Sequence, residues 1–190
     1  MGQIIARRHA TPLRHRNAAT HLRIFAPLIP ALWLAACLPS ADRPRADAQP
    51  KLDPIAFFAG YTEGRGALHK LVGNSQPLSV SSVGRKLPGG GLRLDQLLHL
   101  EGEAVRERRW TIWPMGKGRF TGSLTEAVGP VEAAVQGNRM TIRYATEDYR
   151  VRQTLTLGMD GIVHNRLDIY KWGLNVARLD ERIARKSPAT

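Results

Sequence analysis

Chemistry in this chain has to come from few residues. Cys37 is the only cysteine, which excludes an internal disulfide and any multi-cysteine metal site, and leaves one thiol as an acceptor or nucleophile. Beyond residue 37 the histidines are His69, His99 and His164, on three separate segments and never paired at i,i+2 or i,i+4. A zinc site needs three or four converging ligands, and this spacing supplies none. Ser79, Ser81 and Ser82 lie in SVSSVG, which is not a nucleophile elbow, and no Gly-rich loop opens a helix to cradle phosphate. Glu101 with Glu103 and Glu147 with Asp148 sit in polar turns as solvated charges. The expectation is therefore no catalytic residue, no bound metal and no cofactor: the protein reads as a non-enzyme.

The surroundings of Cys37 give its thiol a use. Residues 1–23 carry Arg7, Arg8, Arg14, Arg16 and Arg23 with no acidic residue, and Ile24 to Ala36 then run IFAPLIPALWLAA. A basic region, a short apolar run and small residues at the end are the order of a secretory signal. Thirteen residues span about 20 Å as a helix, short of the roughly 30 Å of a bilayer core, and Pro27 and Pro30 interrupt them. Leu34-Ala35-Ala36-Cys37 resembles the lipobox of bacterial lipoproteins, with cleavage between Ala36 and Cys37 and a lipid on the sulfur. Two or three acyl chains anchor stably where one is marginal. Met1-Gly2 lacks the Ser or Thr that myristoylation wants at position 6, which is Ala6. Leu38 after the cysteine, by its similarity to enterobacterial sorting signals, implies the outer membrane facing the periplasm.

This reading divides the chain into a signal peptide (1–36), a lipidated cysteine with a flexible tether (37–54) and a folded domain (55–186). The tether holds four prolines and no apolar periodicity, as an extended linker does. The net charge of +12 divides too: without the five leader arginines, 23 basic residues face 16 acidic ones, a net of +7. Export removes the nucleic-acid partner that so basic a chain first brings to mind.

The domain must be built from strands. Leu92, Leu94, Leu98 and Leu100 share a face opposite Arg93, Asp95 and His99; Met140, Ile142 and Tyr144 alternate with Arg139, Thr141 and Arg143. Tyr149, Val151, Leu155 and Leu157 alternate with Arg150, Arg152, Thr154 and Thr156. Turn signals such as Pro88-Gly89-Gly90-Gly91 and Gln136-Gly137-Asn138 separate the runs. Nine or ten short strands without intervening helices predict an all-β fold, an antiparallel barrel or sandwich, with room for a short helix near either terminus. In the hairpin of 139–144 and 149–157, Arg143 and Arg150 should lie nearly opposite each other. Arg139, Arg143, Arg150 and Arg152 then form one basic face, a candidate contact for anionic head groups; a solvated outer face is the plainer reading. Trp110, Trp113 and Trp172 are core plugs or ligand contacts, and alternation does not declare which side of the Trp110 strand is interior. Arg108 packed over a tryptophan at a closed barrel end is a structural use for that residue.

Phe57-Phe58-Ala59-Gly60 with Gly64 and Gly66, then Arg108-Arg109-Trp110, Gly118-Arg119-Phe120-Thr121-Gly122, Gly129, Gly137-Asn138 with Tyr144, Asn165-Arg166, and Lys171-Trp172-Gly173 with Val176 together look like a bacterial lipoprotein family. It is catalogued as domain of unknown function 3833, and the resemblance covers roughly residues 56–185. It implies a lipocalin-like (calycin) β-barrel in the cell envelope, and its members' association with fatty-acid-modifying enzymes implies lipid. This chain departs from the pattern at Gln153-Thr154-Leu155-Thr156, where the family carries an acidic residue, Trp, Met and Tyr. Tyr61-Thr62 after Gly60 also lacks the tryptophan that marks true lipocalins.

Function is thus expected at a barrel cavity: binding or carriage of an apolar, fatty-acyl ligand by a membrane-anchored lipoprotein. The alternative is a filled barrel that serves as a structural or interaction module of the envelope. A cavity of roughly 300 Å³ or more separates the two.

Overall fold

The computed structural model describes residues 44–187; the leader, the Ala36–Cys37 junction and the first residues of the tether lie outside them. A five-residue helix, α1 (Pro54–Phe58), precedes ten antiparallel strands: β1 (Gly60–Lys70), β2 (Gln76–Lys86), β3 (Leu92–Leu100), β4 (Arg106–Gly116), β5 (Arg119–Leu124), β6 (Val131–Gln136), β7 (Arg139–Ala145), β8 (Arg150–Leu157), β9 (Val163–Lys171) and β10 (Leu174–Lys186). Each strand pairs with the next, and β10 pairs with β1, closing an up-and-down barrel without an edge.

Alternation decides which side chains go in. On β7, Met140, Ile142 and Tyr144 are buried; on β3, Leu92 and Leu94 are. Trp110 is inside, at the level of Leu94 and Leu124 on the neighbouring strands, so on β4 the even-numbered residues face the core. Trp113 faces out against Gly91, and Trp172 is almost fully exposed at the β9–β10 turn.

The two ends of the barrel differ. At one end α1 is a plug. Asp53 caps it by accepting a hydrogen bond from the Ala56 amide (3.0 Å), Pro54 suits its first turn, and Phe57 and Phe58 meet edge to face with ring centres 4.9 Å apart. Arg185 near the end of β10 donates to the Ala56 carbonyl (2.9 Å), satisfying an acceptor the short helix leaves open. Gly84 lets the plug approach β2: a Cβ there would lie 1.7 Å from the Phe58 carbonyl oxygen. The opposite end, where β1–β2, β3–β4, β5–β6, β7–β8 and β9–β10 turn, carries no such plug among the described residues.

The segment expected to be a free tether is bound to the barrel from Arg45 onward. Asn138, buried in the β6–β7 turn, accepts from the Asp47 amide on its side-chain oxygen (2.8 Å) and donates its side-chain amide to the carbonyls of Arg45 (3.0 Å) and Leu157 (3.1 Å). Its backbone amide donates to the Asp47 carbonyl, and the Leu52 amide to that of Gly137. Proline content predicted a free linker, but backbone outside any ladder also offers donors and acceptors, and one buried amide side chain takes them up.

The β7–β8 register differs from expectation as well. Arg143 pairs with Arg152, and Arg150 pairs with Ala145, because the strand runs on through Ala145 and Thr146–Tyr149 form the turn. The slip is two residues, so every side chain keeps its face and only its partner changes.

Candidate ligand cavity

Inside the barrel, side chains from β1 to β4 and from β7 to β10 leave space between them. Near the plug lies a chamber of about 70 Å³, lined by Val80, Leu92, Leu94, Ile112, Ile142, Leu155 and Ile183. Toward the open end lies a cavity of about 420 Å³, walled by Leu68, Leu98, Leu100, Val151, Leu167, Ile169 and Leu179 and rimmed by Tyr149, Glu103 and Arg106. Leu78, Leu98, Arg108, Leu167 and Leu179 border both, so Arg108 stands where one space passes into the other.

Two polar chains run along the inner wall. On β8, β9 and β10, Gln153 donates to the Asn165 side-chain oxygen (3.0 Å), and Asn165 donates to Glu181 Oε2 (2.8 Å). Opposite, Trp110 donates its indole N–H to Gln96 (2.9 Å), and Gln96 donates to the Ser82 hydroxyl (3.0 Å). Glu181 owes its place to Gly64 on β1, where a Cβ would sit 1.6 Å from Glu181 Oε1. Burial pushes the Glu181 carboxyl above the usual carboxylate range, against the opposing pull of the Asn165 hydrogen bond and the Arg108 charge. The side-chain oxygen of Gln153 is buried without a partner.

Arg108 reaches in from β4, and its Nη2 is 2.5 Å from Glu126 Oε1. The tryptophan beside it is thus not its partner, contrary to expectation. It lies toward the open half, where a carboxylate from the β5–β6 turn can reach it. Tyr144 meets Trp110 edge to face (centres 5.7 Å apart), and its phenol is pushed up to about 12 by burial, so it stays a donor.

The residues singled out from sequence fall elsewhere. Cys37 and Ala36 lie outside the described residues. Arg143, Arg150 and Arg152 are exposed on the outer face of β7 and β8, with Arg139 partly covered beside them and bonded to Thr156. None of the four forms an ion pair among the described residues; Arg143 is flanked by Glu132 across the ladder, and Arg152 by Asp168, which binds Arg178 instead. His69, His99 and His164 are on β1, β3 and β9 and do not converge. Glu181 and Glu126 were not anticipated, while Asn165 and Gln153 stood out in the sequence only through the family pattern. Parity was the available signal: Leu179, Glu181 and Ile183 share a face, so Glu181 must point where the leucine and isoleucine do.

A closed antiparallel barrel with an apolar cavity open at one end is a lipocalin-like fold, and solved structures agree. The S-type phycobiliprotein lyase CPES of Guillardia theta is similar at 6% identity with a TM-score of 0.56, over 70% of this chain and 92% of that one. A protein of unknown function from the DUF3598 family of Nostoc punctiforme is similar at 12% identity with a TM-score of 0.50, over 73% of this chain and 51% of that one. At such identities the likeness is one of fold. No curated protein matches the sequence. The chain belongs to the family described as "Protein of unknown function (DUF3833)", whose profile matches residues 31–185.

Proposed function

We propose that this protein binds an amphiphilic acyl-chain ligand in the open half of its barrel and is held to the envelope membrane by a lipidated Cys37. One observation carries the binding role: the barrel is plugged at one end and holds an apolar cavity of about 420 Å³ that opens at the other. A filled structural barrel would spend those inward leucines on packing. The rim supports the same reading, since each of the five turns at the open end presents exposed apolar surface: Leu71 and Val72, Val105, Val128, Tyr149, and Trp172. The anchor is compatible with access, because the chain joins the barrel at the plugged end, beside Asn138. The inner polar chains support a binding role, since they link Gln153, Asn165 and Glu181 to one another and Trp110, Gln96 and Ser82 to one another.

Titrating the purified domain with a medium-chain fatty acid, followed by Trp110 emission and native mass spectrometry, should give saturable one-to-one binding. No binding by any acyl compound overturns the reading. For the anchor, Cys37→Ser should lose incorporated palmitate and move from the membrane to the soluble fraction; unchanged membrane association would exclude lipidation as the attachment.

The unpaired arginines of β7 and β8 form the proposed contact with anionic head groups. Replacing Arg143 and Arg152 by serine should abolish low-salt binding of the domain to anionic vesicles, and retention by the double variant removes this part of the proposal.

A further inference from the structure

We infer that Arg108 is the receptor for a carboxylate on the ligand, and that Glu126 occupies this receptor as a built-in stand-in when the cavity is empty. The inference rests on the acyl-ligand reading above and names the ligand's head group.

Arg108 is an arginine at the floor of an apolar cavity, three-quarters buried, and so placed it needs an anion. Among the described residues the inner wall offers only Glu181, whose carboxyl burial holds toward its neutral form and whose Oε2 accepts from Asn165. The anion comes instead from Glu126, which belongs to no strand. It sits in the turn between β5 and β6, so no ladder register fixes it there, and its side chain is about one-third exposed. A partly exposed glutamate on a turn at the mouth that reaches an inner arginine presents to it the chemistry a fatty acid would present. The guanidinium fork accepts either carboxylate, and only one at full strength.

The spaces fix the direction of binding. The chamber beyond Arg108 is about 70 Å³, too small for an acyl chain, so the carboxylate goes in first and the chain lies back along Leu98, Leu100 and Ile169 toward the rim. Displaced Glu126 then returns to water at the mouth. A fatty alcohol of the same length gains the same wall but no ion pair.

Dodecanoate and dodecanol, each titrated below its aggregation limit into the purified domain, test this. Wild type should bind the acid more tightly than the alcohol. Glu126→Gln, which removes the competitor, should tighten acid binding roughly tenfold and leave the alcohol within about twofold. Arg108→Gln should weaken the acid by roughly tenfold or more and spare the alcohol; Arg108→Lys, which keeps the charge and loses the fork, should weaken it less. Wild type binding acid and alcohol equally, or Glu126→Gln leaving the acid unchanged or shifting both ligands alike, overturns the carboxylate receptor while the acyl-binding reading stands. Binding of neither compound by wild type overturns both.

Discussion

Glu181 shows how one inward residue makes stability depend on pH. Its carboxyl titrates above its ordinary value near 4.5 because the barrel interior penalises the charge. Below that value both the folded and the unfolded chain hold the proton, and nothing is lost. As pH rises past it, the unfolded chain releases the proton while the fold keeps it, and stability falls by about 1.4 kcal/mol per pH unit until the folded-state value is passed. Glu181→Gln keeps an acceptor for Asn165 and carries no charge. The variant should therefore match wild type near about pH 4 and be the more stable of the two at about pH 7, read from urea unfolding. A constant difference across that range would mean that Glu181 ionises as freely in the fold as in water. In the sequence Glu181 stands between two other charges, Asp180 and Arg182, and only parity with Leu179 and Ile183 distinguishes it.

At the scale of elements, alternation made the strands legible and left their partners unread. Every inward residue assigned to β3 and β7 is on the inner face, because a period of two needs no knowledge of neighbours. Pairing depends on turn length, and the β7–β8 slip came from counting Tyr149 into a strand when it closes a turn on Thr146. The docking of residues 45–52 was illegible for a related reason: its partner Asn138 is some ninety residues away and looks like an ordinary turn residue. The β9–β10 turn offers a test of what the sequence did show. Its two central residues, Trp172 (φ 52°) and Gly173 (φ 82°), both adopt positive φ, the two-residue hairpin geometry that favours Asn-Gly. Tryptophan is costly there, and being almost fully exposed it recovers little by packing; Lys171 lies over its ring, 5.1 Å from the centre. Trp172→Asn should raise stability by roughly 0.5–1 kcal/mol in chemical denaturation, provided the backbone strain outweighs the lost cation–π contact. A destabilised variant would show that the indole contributes more than its exposure implies.

Over the whole molecule the barrel is two halves with different duties, and the difference predicts opposite responses to the same kind of change. Around the plug, Leu52, Leu92, Met140 and Val163 are buried almost completely, and that half supplies most of the stability. Toward the mouth, Leu98, Leu100 and Ile169 are only partly buried, because the space beside them is empty. Leu92→Ala should therefore cost about 3–4 kcal/mol, the transfer term plus a cavity that close packing cannot collapse, whereas Leu100→Ala should cost about 1 kcal/mol or less. Enlargement reverses the comparison. Leu100→Trp adds its ring to space that already exists, so stability should stay within about 1 kcal/mol of wild type while acyl-chain binding weakens at least tenfold. Paired urea curves and ligand titrations on these three variants separate the halves. If Leu100→Trp unfolds the domain, the mouth is part of the packed core; if it folds and binds as wild type does, the ligand does not lie along β3. The fold was readable from the sequence as a strand count and an alternation, but this asymmetry was not, since Leu92 and Leu100 carry the same side chain on the same face of one strand. What separates them is α1, which closes the barrel beside the first and leaves the second open.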